Sequence, residues 1–436
     1  MIPSSRFVIL VAAAAPLWIL AALSPRLLPI PLAVLGLLLA AAAGNYVLTP
    51  GRRSANVRRL IPPRFSFGHE QEIEITVAVR GRRGAVVELR DHVPENLVVT
   101  QPAPRITVAP GAPTTASYRV RSLMRGPADF PAVTLRASRG IGFVQRQFTI
   151  RVLSPGKVYP AFLDVHRYDL LALADRREEA TRIPRTARGH GSDFESLRPY
   201  SPGDDLRRID WKTTAKRGFL VSRTFRVDRG QQLTILLDAG RFMAERLGDQ
   251  TRFEHAVSAA VMLSSTAQTR GDSVSLACFS NRMESFLPAV KGSTTLPRVL
   301  DTLWNVQARN VESDYWHVFS QVLSRLSKRC LIVLFCEVLD RASSAGLVHS
   351  LARSARKHLI LAVVLVDALV GAAADETPVD PRGRYRKAAA SHVLLERILA
   401  LNEMRSHGIL VLETTPQRLT PDLITRYLTI RKTNLL

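Results

Sequence analysis

Three successive patterns of apolar and polar residues divide this chain. The first 48 residues contain two apolar runs, at residues 7–23 and 30–48, joined by a short connector. Each run has about the 20 apolar residues that a helix needs to cross a bilayer. The pattern therefore predicts a transmembrane helical hairpin over residues 1–50.

Short runs in which apolar and polar residues alternate come next, over residues 51–155. They lie at residues 72–79, 85–89, 105–108, 116–120, 132–137 and 147–152. Alternation with a period of two predicts strands with one buried face, and the Pro and Gly residues between the runs predict turns. We expect an all-β sandwich of the immunoglobulin or fibronectin type, acting as a spacer or interaction module.

From residue 230 to 436 the period changes again. Strand-like apolar runs occupy residues 233–238, 273–279, 331–336, 359–366 and 409–412. Helical patterns occupy residues 253–270, 295–306, 315–328, 343–357, 391–406 and 421–431. Near-continuous Val, Ile and Leu runs separated by helices are typical of a parallel sheet covered on both faces. The prediction is a doubly wound α/β domain.

Positive charge flanks the two apolar N-terminal runs unevenly. The connector between them carries only Arg26. Five arginines follow the second run: Arg52, Arg53, Arg58, Arg59 and Arg64. The positive-inside rule then predicts a protein of the cytoplasmic membrane with both termini and its bulk in the cytoplasm. A cleaved signal peptide is the alternative, but the apolar stretch is too long for one signal.

The formal net charge of the chain is +23. Such a charge attracts anionic lipid headgroups, so we expect membrane lipids among its partners. Nucleic acid is the competing partner, but basic residues are mixed with acidic ones, and no zinc-finger spacing or recognition helix is recognisable. We therefore expect no specific nucleic acid. Cys278, Cys330 and Cys336 lie in apolar runs, as buried thiols of a reducing compartment do.

The segment at residues 189–225 surrounds aromatic and turn residues with alternating charges. Its turn is Ser201-Pro202-Gly203-Asp204. The residues of interest are Arg198, Tyr200, Pro202, Gly203, Asp204, Asp205, Arg208, Asp210, Trp211 and Lys212. One interpretation is a salt-bridge network that docks one domain on another, with the Trp211 ring buried between a linker at residues 156–229 and the α/β domain. The other treats the aspartates as ligands of a hard cation.

These motifs resemble the signature of the bacterial family called "domain of unknown function 58". The resemblance extends over most of the chain after residue 50. Proteins similar to this one are associated with MoxR-type AAA+ ATPases, and their α/β domain is thought to connect the ATPase to its clients. The resemblance thus implies a MoxR-type ATPase and other membrane proteins as partners.

Ligands of a doubly wound sheet bind at the carboxyl ends of its strands. The first strand of the predicted sheet ends at Asp238, and this end resembles a von Willebrand factor type A domain, whose metal-ion-dependent adhesion site begins Asp-x-Ser-x-Ser. Asp238 matches the aspartate, whereas Gly240 and Phe242 stand in place of the serines. Ser313 would replace the Thr of a second loop, and Glu337 lies near the place of a last Asp. Two missing hydroxyls leave two alternatives: a weak Mg²⁺ site, or a degenerate site retained for docking proteins.

Taken together, these patterns favour a membrane-anchored, non-enzymatic scaffold or adaptor without a cofactor, apart from weakly bound Mg²⁺. Two alternatives come from other classes of protein. The first is a metal-dependent enzyme using Asp204, Asp205, Asp210 or Asp238. The second is a basic nucleic-acid-binding membrane protein. The sequence contains no recognisable pairing of a catalytic nucleophile with a general base, and no recognisable Walker loop or zinc motif.

Overall fold

The chain forms two compact units, Met1–Ala161 and Phe162–Leu436. A computed structural model describes residues 2–80, 84–140, 142–163, 193–201, 206, 209–226, 230–326, 328–378 and 380–433. Short 3₁₀ helices lie at Pro25–Leu27, Arg52–Ser54, Arg241–Ala244 and Gly292–Thr294.

The first unit begins with a short strand and apolar helices. These are β1 Ile2–Pro3, α1 Ser5–Ala13, α2 Ala15–Leu23 and α3 Pro29–Leu48. By length and composition, Ser5–Leu23 and Pro29–Ser54 are each able to cross a membrane. Few of their side chains are buried, unlike those of a core helix in a soluble domain. This agrees with the predicted apolar hairpin.

Both ends of the apolar segment contact the same β-hairpin loop. The Ser4 backbone N–H donates to the Phe143 carbonyl at 3.0 Å, and Asn45 Nδ2 donates to the Arg139 carbonyl at 2.8 Å. The Val144 N–H in turn donates to Asn45 Oδ1 at 3.1 Å. The start of α1 and the end of α3 therefore lie at the same end of the helical pair.

The rest of the first unit consists of strands. They are β2 Ala55–Leu60, β3 Phe65–Ser66, β4 Glu70–Val79, β5 Ala85–Asp91, β6 Leu97–Gln101, β7 Ile106–Val108, β8 Thr114–Ser122, β9 Gly126–Pro127, β10 Phe130–Ser138, β11 Val144–Ser154 and β12 Lys157–Tyr159. One sheet has the order β1-β11-β10-β5-β7 and another β2-β4-β8-β6, while β3, β12 and β9 form a small third sheet. The two larger sheets share one apolar core, with alternating buried and exposed positions in β4 and β8. The predicted β-rich region is confirmed.

A buried ion pair joins the two larger sheets. Arg59 of β2 donates to both carboxylate oxygens of Asp91, on β5, and to the carbonyls of Phe130, Ala132 and Val152. Because these contacts satisfy most of its donors, the guanidinium is accommodated in the apolar interior. Arg59, predicted as a topogenic charge, thus also has a structural role in the sandwich.

The second unit contains a hairpin and a six-stranded sheet. Its strands are β13 Asp193–Pro199, β14 Val221–Arg226, β15 Gln232–Asp238, β16 Arg246–Leu247, β17 Gln250–Thr251, β18 Ser273–Phe279, β19 Met283–Val290, β20 Leu331–Phe335, β21 Leu359–Leu365 and β22 Leu410–Thr414. Its helices are α4 Trp211–Arg217, α5 Arg252–Arg270, α6 Thr295–Leu303, α7 Tyr315–Ser324, α8 Arg341–Ala355, α9 Ala368–Asp375, α10 Pro381–Ser406 and α11 Leu419–Lys432.

The sheet has the order β19-β18-β15-β20-β21-β22, and all neighbours except β18 and β19 are parallel. Helices α7, α8 and α10 pack on one face with alternate strand residues such as Leu236 and Ile332. Helices α6 and α11 each contact α5 and form a second group with it. The predicted α/β region is confirmed, since β15, β18, β20, β21 and β22 match the predicted runs.

Candidate functional site

The strand order of the six-stranded sheet reverses at β15, which has β18 on one side and β20 on the other. A reversal of this kind opens a crevice at the carboxyl ends of the two central strands. Leu237 of β15 pairs with Phe335 of β20, so Asp238 and Glu337 lie at the same edge of the sheet. The fold therefore brings two of the residues chosen from the sequence to one site.

Asp238 is buried, with 2% of its surface exposed, and hydrogen-bond donors occupy both of its carboxylate oxygens. Oδ1 accepts from the Ser313 hydroxyl at 2.5 Å and from the Gly240 N–H at 2.8 Å. Oδ2 accepts from the Tyr315 hydroxyl at 2.6 Å. Burial raises the pKa of Asp238, although these three hydrogen bonds act in the opposite direction. The carboxylate fastens the 313–315 segment to the end of β15.

Gly240 is the position at which the adhesion motif would place its first serine. A Cβ added at Gly240 would overlap the Ser313 hydroxyl and lie 3.1 Å from the Val311 carbonyl. Its φ of −79° is open to any residue, so the requirement for glycine is one of space. Ser313, from a distant segment, occupies this space with its hydroxyl and donates to Asp238.

Backbone hydrogen bonds hold that segment in place. The Arg309 N–H donates to the Ala239 carbonyl at 2.7 Å, and the Arg241 N–H donates to the Val311 carbonyl at 2.8 Å. Asp314 caps α7 by accepting from the His317 N–H at 2.9 Å. Backbone hydrogen bonds at residues 309 and 311 thus add to the side-chain hydrogen bonds that Ser313 and Tyr315 make with Asp238.

Glu337 is also buried, but its partners are two arginines. Arg252 of α5 donates to Oε2 at 2.9 Å, and Arg397 of α10 donates to Oε1 at 3.1 Å. Both guanidinium groups also donate to the Leu365 carbonyl at the end of β21. Burial raises the pKa of Glu337, and the two arginines oppose that effect. The sequence reasoning missed both arginines. Arg397 lies in a largely apolar stretch, which is a local signal of a buried ion pair, but Arg252 lies among polar residues and carries no such signal.

The surroundings of the Asp238 and Glu337 carboxylates favour hydrogen bonds and ion pairs over ligation of a metal. Asp238 already accepts from two hydroxyls and one amide, and Glu337 is neutralised by two cations. A hard cation prefers about six oxygen ligands. Among the described residues no group of three or more His, Cys, Asp or Glu side chains is placed to hold a metal ion. A cation at Asp238 would compete with the hydroxyl groups of Ser313 and Tyr315 for the carboxylate oxygens.

A cleft of about 540 Å³ lies over this edge of the sheet. Its lining includes Phe242, Glu312, Trp316 and Leu347. The Arg241 guanidinium lies 4.6 Å from the centre of the Phe242 ring, and the Trp316 ring is 53% exposed. The cleft therefore combines exposed aromatic surface with charges of both signs.

The residues of the 189–225 segment have local structural roles where the structure describes them. Asp210 caps α4 by accepting from the Thr213 N–H at 2.9 Å, and Gly218, with φ of 73°, ends that helix. The Tyr200 N–H donates to the Leu220 carbonyl at 2.8 Å, which continues the β13–β14 hairpin beyond Arg198.

The expectation that Trp211 is buried is wrong. Trp211 is the first residue of α4 and is 66% exposed. Lys212 beside it is exposed as well. The remaining motif residues lie outside the described residues: Pro202, Gly203, Asp204, Asp205 and Arg208.

Part of the second unit is similar to a known protein family. Residues 196–372 match the family model described as "Protein of unknown function DUF58". The uncharacterized protein YeaD of Bacillus subtilis (strain 168) is 25% identical over 173 residues, which is 39% of this chain and 41% of that protein. Both matches support the DUF58 family. The match to YeaD therefore spans less than half the length of that relative.

The matched DUF58 region begins in the β13–β14 hairpin and runs through the strand-end site to α9. Among solved structures, BatB of Bacteroides thetaiotaomicron is 12% identical, with a TM-score of 0.29 over 46% of this chain and 99% of that one. Native alpha-2-macroglobulin of Escherichia coli is 18% identical, with a TM-score of 0.22 over 26% and 18% of the two chains. With TM-scores this low, neither likeness assigns a fold or a function.

Proposed function

We propose that this protein is a membrane-anchored scaffold or adaptor that faces the cytoplasm and binds proteins at the strand-end cleft of its α/β unit. The observation that carries the proposal is the complete engagement of Asp238 by Ser313, Tyr315 and Gly240. In this proposal the α/β unit is a von Willebrand factor type A-like domain with a degenerate metal site. The hydrogen-bonded latch holds the loops in the arrangement that a metal ion would otherwise stabilise.

The cleft beside the latch supports a docking role. Phe242 and Trp316 offer aromatic surface, and Arg241 and Glu312 offer charges of both signs at its rim. Aromatic residues and arginine are the side chains that most often dominate binding energy in protein interfaces. The resemblance given above suggests a MoxR-type AAA+ ATPase as the partner and other membrane proteins as clients.

Affinity capture of the full chain from native membranes, with and without ATP, tests this role. We expect an AAA+ ATPase to co-purify, and we expect Trp316→Ala to weaken its capture. Leu369→Ala is the matched control, because Leu369 is exposed in the same unit and does not line the cleft. Absence of the ATPase from repeated captures, or equal loss with both variants, would contradict the proposal.

A second measurement tests the degenerate metal site. A ligand stabilises the folded state by RT ln(1 + [L]/Kd), so a site whose Kd far exceeds the Mg²⁺ concentration adds almost nothing. We expect millimolar Mg²⁺ to leave the melting temperature unchanged in the wild type and in Asp238→Ala. A rise of several degrees in the wild type alone would establish a working metal site and revive the metal-dependent alternative.

Reporter fusions at residue 27 and at the C-terminus test the membrane topology. The proposal requires the two fusions to report opposite sides of the membrane, with the C-terminus in the cytoplasm. A periplasmic C-terminus would remove any cytoplasmic ATPase from consideration.

A further inference from the structure

Two arginines of the β-sandwich hold the carboxyl end of the apolar helix α3. Arg139 Nη1 donates to the Leu48 carbonyl at 2.6 Å, and Arg146 Nη1 donates to the Thr49 carbonyl at 3.1 Å. The Arg146 guanidinium also lies 4.4 Å from the centre of the Tyr46 ring. The last carbonyls of a helix have no partner within the helix and form the negative end of its dipole, so cations stabilise them. The sandwich and α3 therefore meet in a direct, charge-assisted junction.

The loop between β4 and β5 reaches the same junction from both of its ends. The Arg80 backbone N–H donates to the Ser54 carbonyl at 2.7 Å, which holds the end of β4 against the short helix that follows α3. Arg139 Nε donates to the Gly84 carbonyl at 3.0 Å, immediately before β5. The fold thus brings Arg80 and Arg139, which are distant in sequence from α3, to the end of that helix.

The segments that meet at the junction carry arginine and no carboxylate. Residues 1–69, 75–87 and 130–163 contain no aspartate or glutamate. Like charges gathered in one place repel one another, so an anion supplied from outside would stabilise them. We define these arginines as the basic collar: Arg52, Arg53, Arg80, Arg139 and Arg146. The first three have exposed side chains.

The length of α3 indicates which anion lies at the collar. The helix has 20 residues, so it is about 30 Å long, which is the thickness of the hydrocarbon core of a bilayer. A span of this length ends where the lipid headgroups begin. Because the collar contacts the last residues of α3, it lies at the depth of the headgroup phosphates. An acidic protein would first have to displace those headgroups.

We propose that the basic collar binds the phosphate groups of anionic phospholipids around the end of α3. This inference rests on the membrane anchor of the proposed function. Arg52, Arg53 and Arg80 would contact the phosphate oxygens, since a guanidinium binds phosphate through two parallel N–H donors. Arg139 and Arg146 have donors committed to the end of α3 and add positive charge beside the phosphates. The site therefore combines charges that flank the span with charges that the sandwich contributes.

The association of spin-labelled lipids with the full chain tests the proposal. The protein is reconstituted into phosphatidylcholine vesicles that contain a trace of labelled phosphatidylglycerol or labelled phosphatidylcholine. Electron spin resonance measures the fraction of each labelled lipid whose motion the protein restricts, and hence the ratio of the two association constants. We expect a severalfold preference for phosphatidylglycerol. The preference should shrink at high salt, because salt screens exposed charges.

Replacement of the exposed collar cations gives the decisive comparison. The variant with Arg52→Gln, Arg53→Gln and Arg80→Gln should bring the ratio of association constants to about one. Arg80→Gln alone should lower the ratio in part, and it leaves unchanged the arginines that directly follow α3 and orient the spans. The matched control replaces three exposed arginines at the ends of β5 and β8 that lie away from the collar: Arg90→Gln, Arg119→Gln and Arg121→Gln. The control should keep the ratio of the wild type.

Three results would overturn the proposal. The first is equal association of the two lipids with the wild type, which would leave the collar to an acidic protein. The second is a preference that survives the triple collar replacement or falls equally in the control. The third is a preference that inorganic phosphate abolishes at an ionic strength at which sodium chloride does not, which would show a site for free phosphate. Vesicles without any motion-restricted lipid would show instead that the apolar helices do not span the bilayer, and would refute the membrane anchor together with the collar.

Discussion

The latch at Asp238 predicts a strong energetic coupling between Gly240 and Ser313. In Gly240→Ala, the new methyl group would occupy the space of the Ser313 hydroxyl. Overpacking a tight site costs about 1–3 kcal/mol. Displacing Ser313 also removes its hydrogen bond to a carboxylate, which contributes roughly 1.5–3 kcal/mol. We expect Gly240→Ala to lower the free energy of unfolding by about 3 kcal/mol, given the ranges of both effects.

Removal of the hydroxyl should relieve most of that cost. In a Ser313→Ala background the methyl group at position 240 no longer meets the hydroxyl; the next contacts are Asp238 Oδ1 and the Val311 carbonyl, each at 3.1 Å. The further cost should then be about 1 kcal/mol, at the low end for overpacking. The double-mutant cycle should therefore give a coupling energy of about 2 kcal/mol, the value expected of residues in direct contact.

Thiol labelling at increasing urea concentrations measures these free energies for the α/β unit alone. All three cysteines of the chain are buried in this unit, so their reactivity reports its unfolding and not that of the β-sandwich. Wild type, both single variants and the double variant are compared in the same detergent. Costs that add to within about 0.5 kcal/mol would refute the shared space that the latch requires.

Three further predictions concern charge and exposure. Burial raises the pKa of Asp238 above its unfolded value, so the stability advantage of the wild type over Asp238→Asn should be largest in acid and should shrink as pH rises through the raised pKa. Urea titrations at a series of pH values measure this advantage, and an advantage that grows with pH would contradict the prediction. Glu337→Gln should lower the free energy of unfolding by about 3 kcal/mol, because it leaves Arg252 and Arg397 without a buried countercharge. The exposed control Glu312→Gln should change the urea midpoint little, and equal losses of stability in the two variants would argue against the buried ion pair. Trp211→Ala should change stability by less than about 0.5 kcal/mol, whereas Asp210→Ala should cost about 1 kcal/mol through loss of the α4 cap; a large cost at Trp211 would mean that its ring is buried in solution.

Local patterns predicted five strands of the six-stranded sheet and missed β19, which lies at one edge. β19 contains Pro288, which lowers its resemblance to a strand; the structure places β19 at the sheet edge, where a missing N–H is tolerated. Helix α10 was predicted from residue 391 but begins at Pro381, because its first turns are basic and exposed and have no apolar period. Trp211 was misassigned for a related reason: an aromatic residue in a charged motif does not indicate on which side of its helix the ring lies.

The sequence by itself determined the three kinds of segment and the position of Asp238 at a strand end, because these depend on neighbouring residues and on periods of two or 3.6. Only the tertiary structure decided what Asp238 and Glu337 contact. Ser313 and Tyr315 reach Asp238 across 75 and 77 positions, and Arg252 and Arg397 reach Glu337 across 85 and 60. These pairings follow from the strand order and from the packing of helices on the sheet, and a local pattern of apolar residues is the same whichever strands become neighbours.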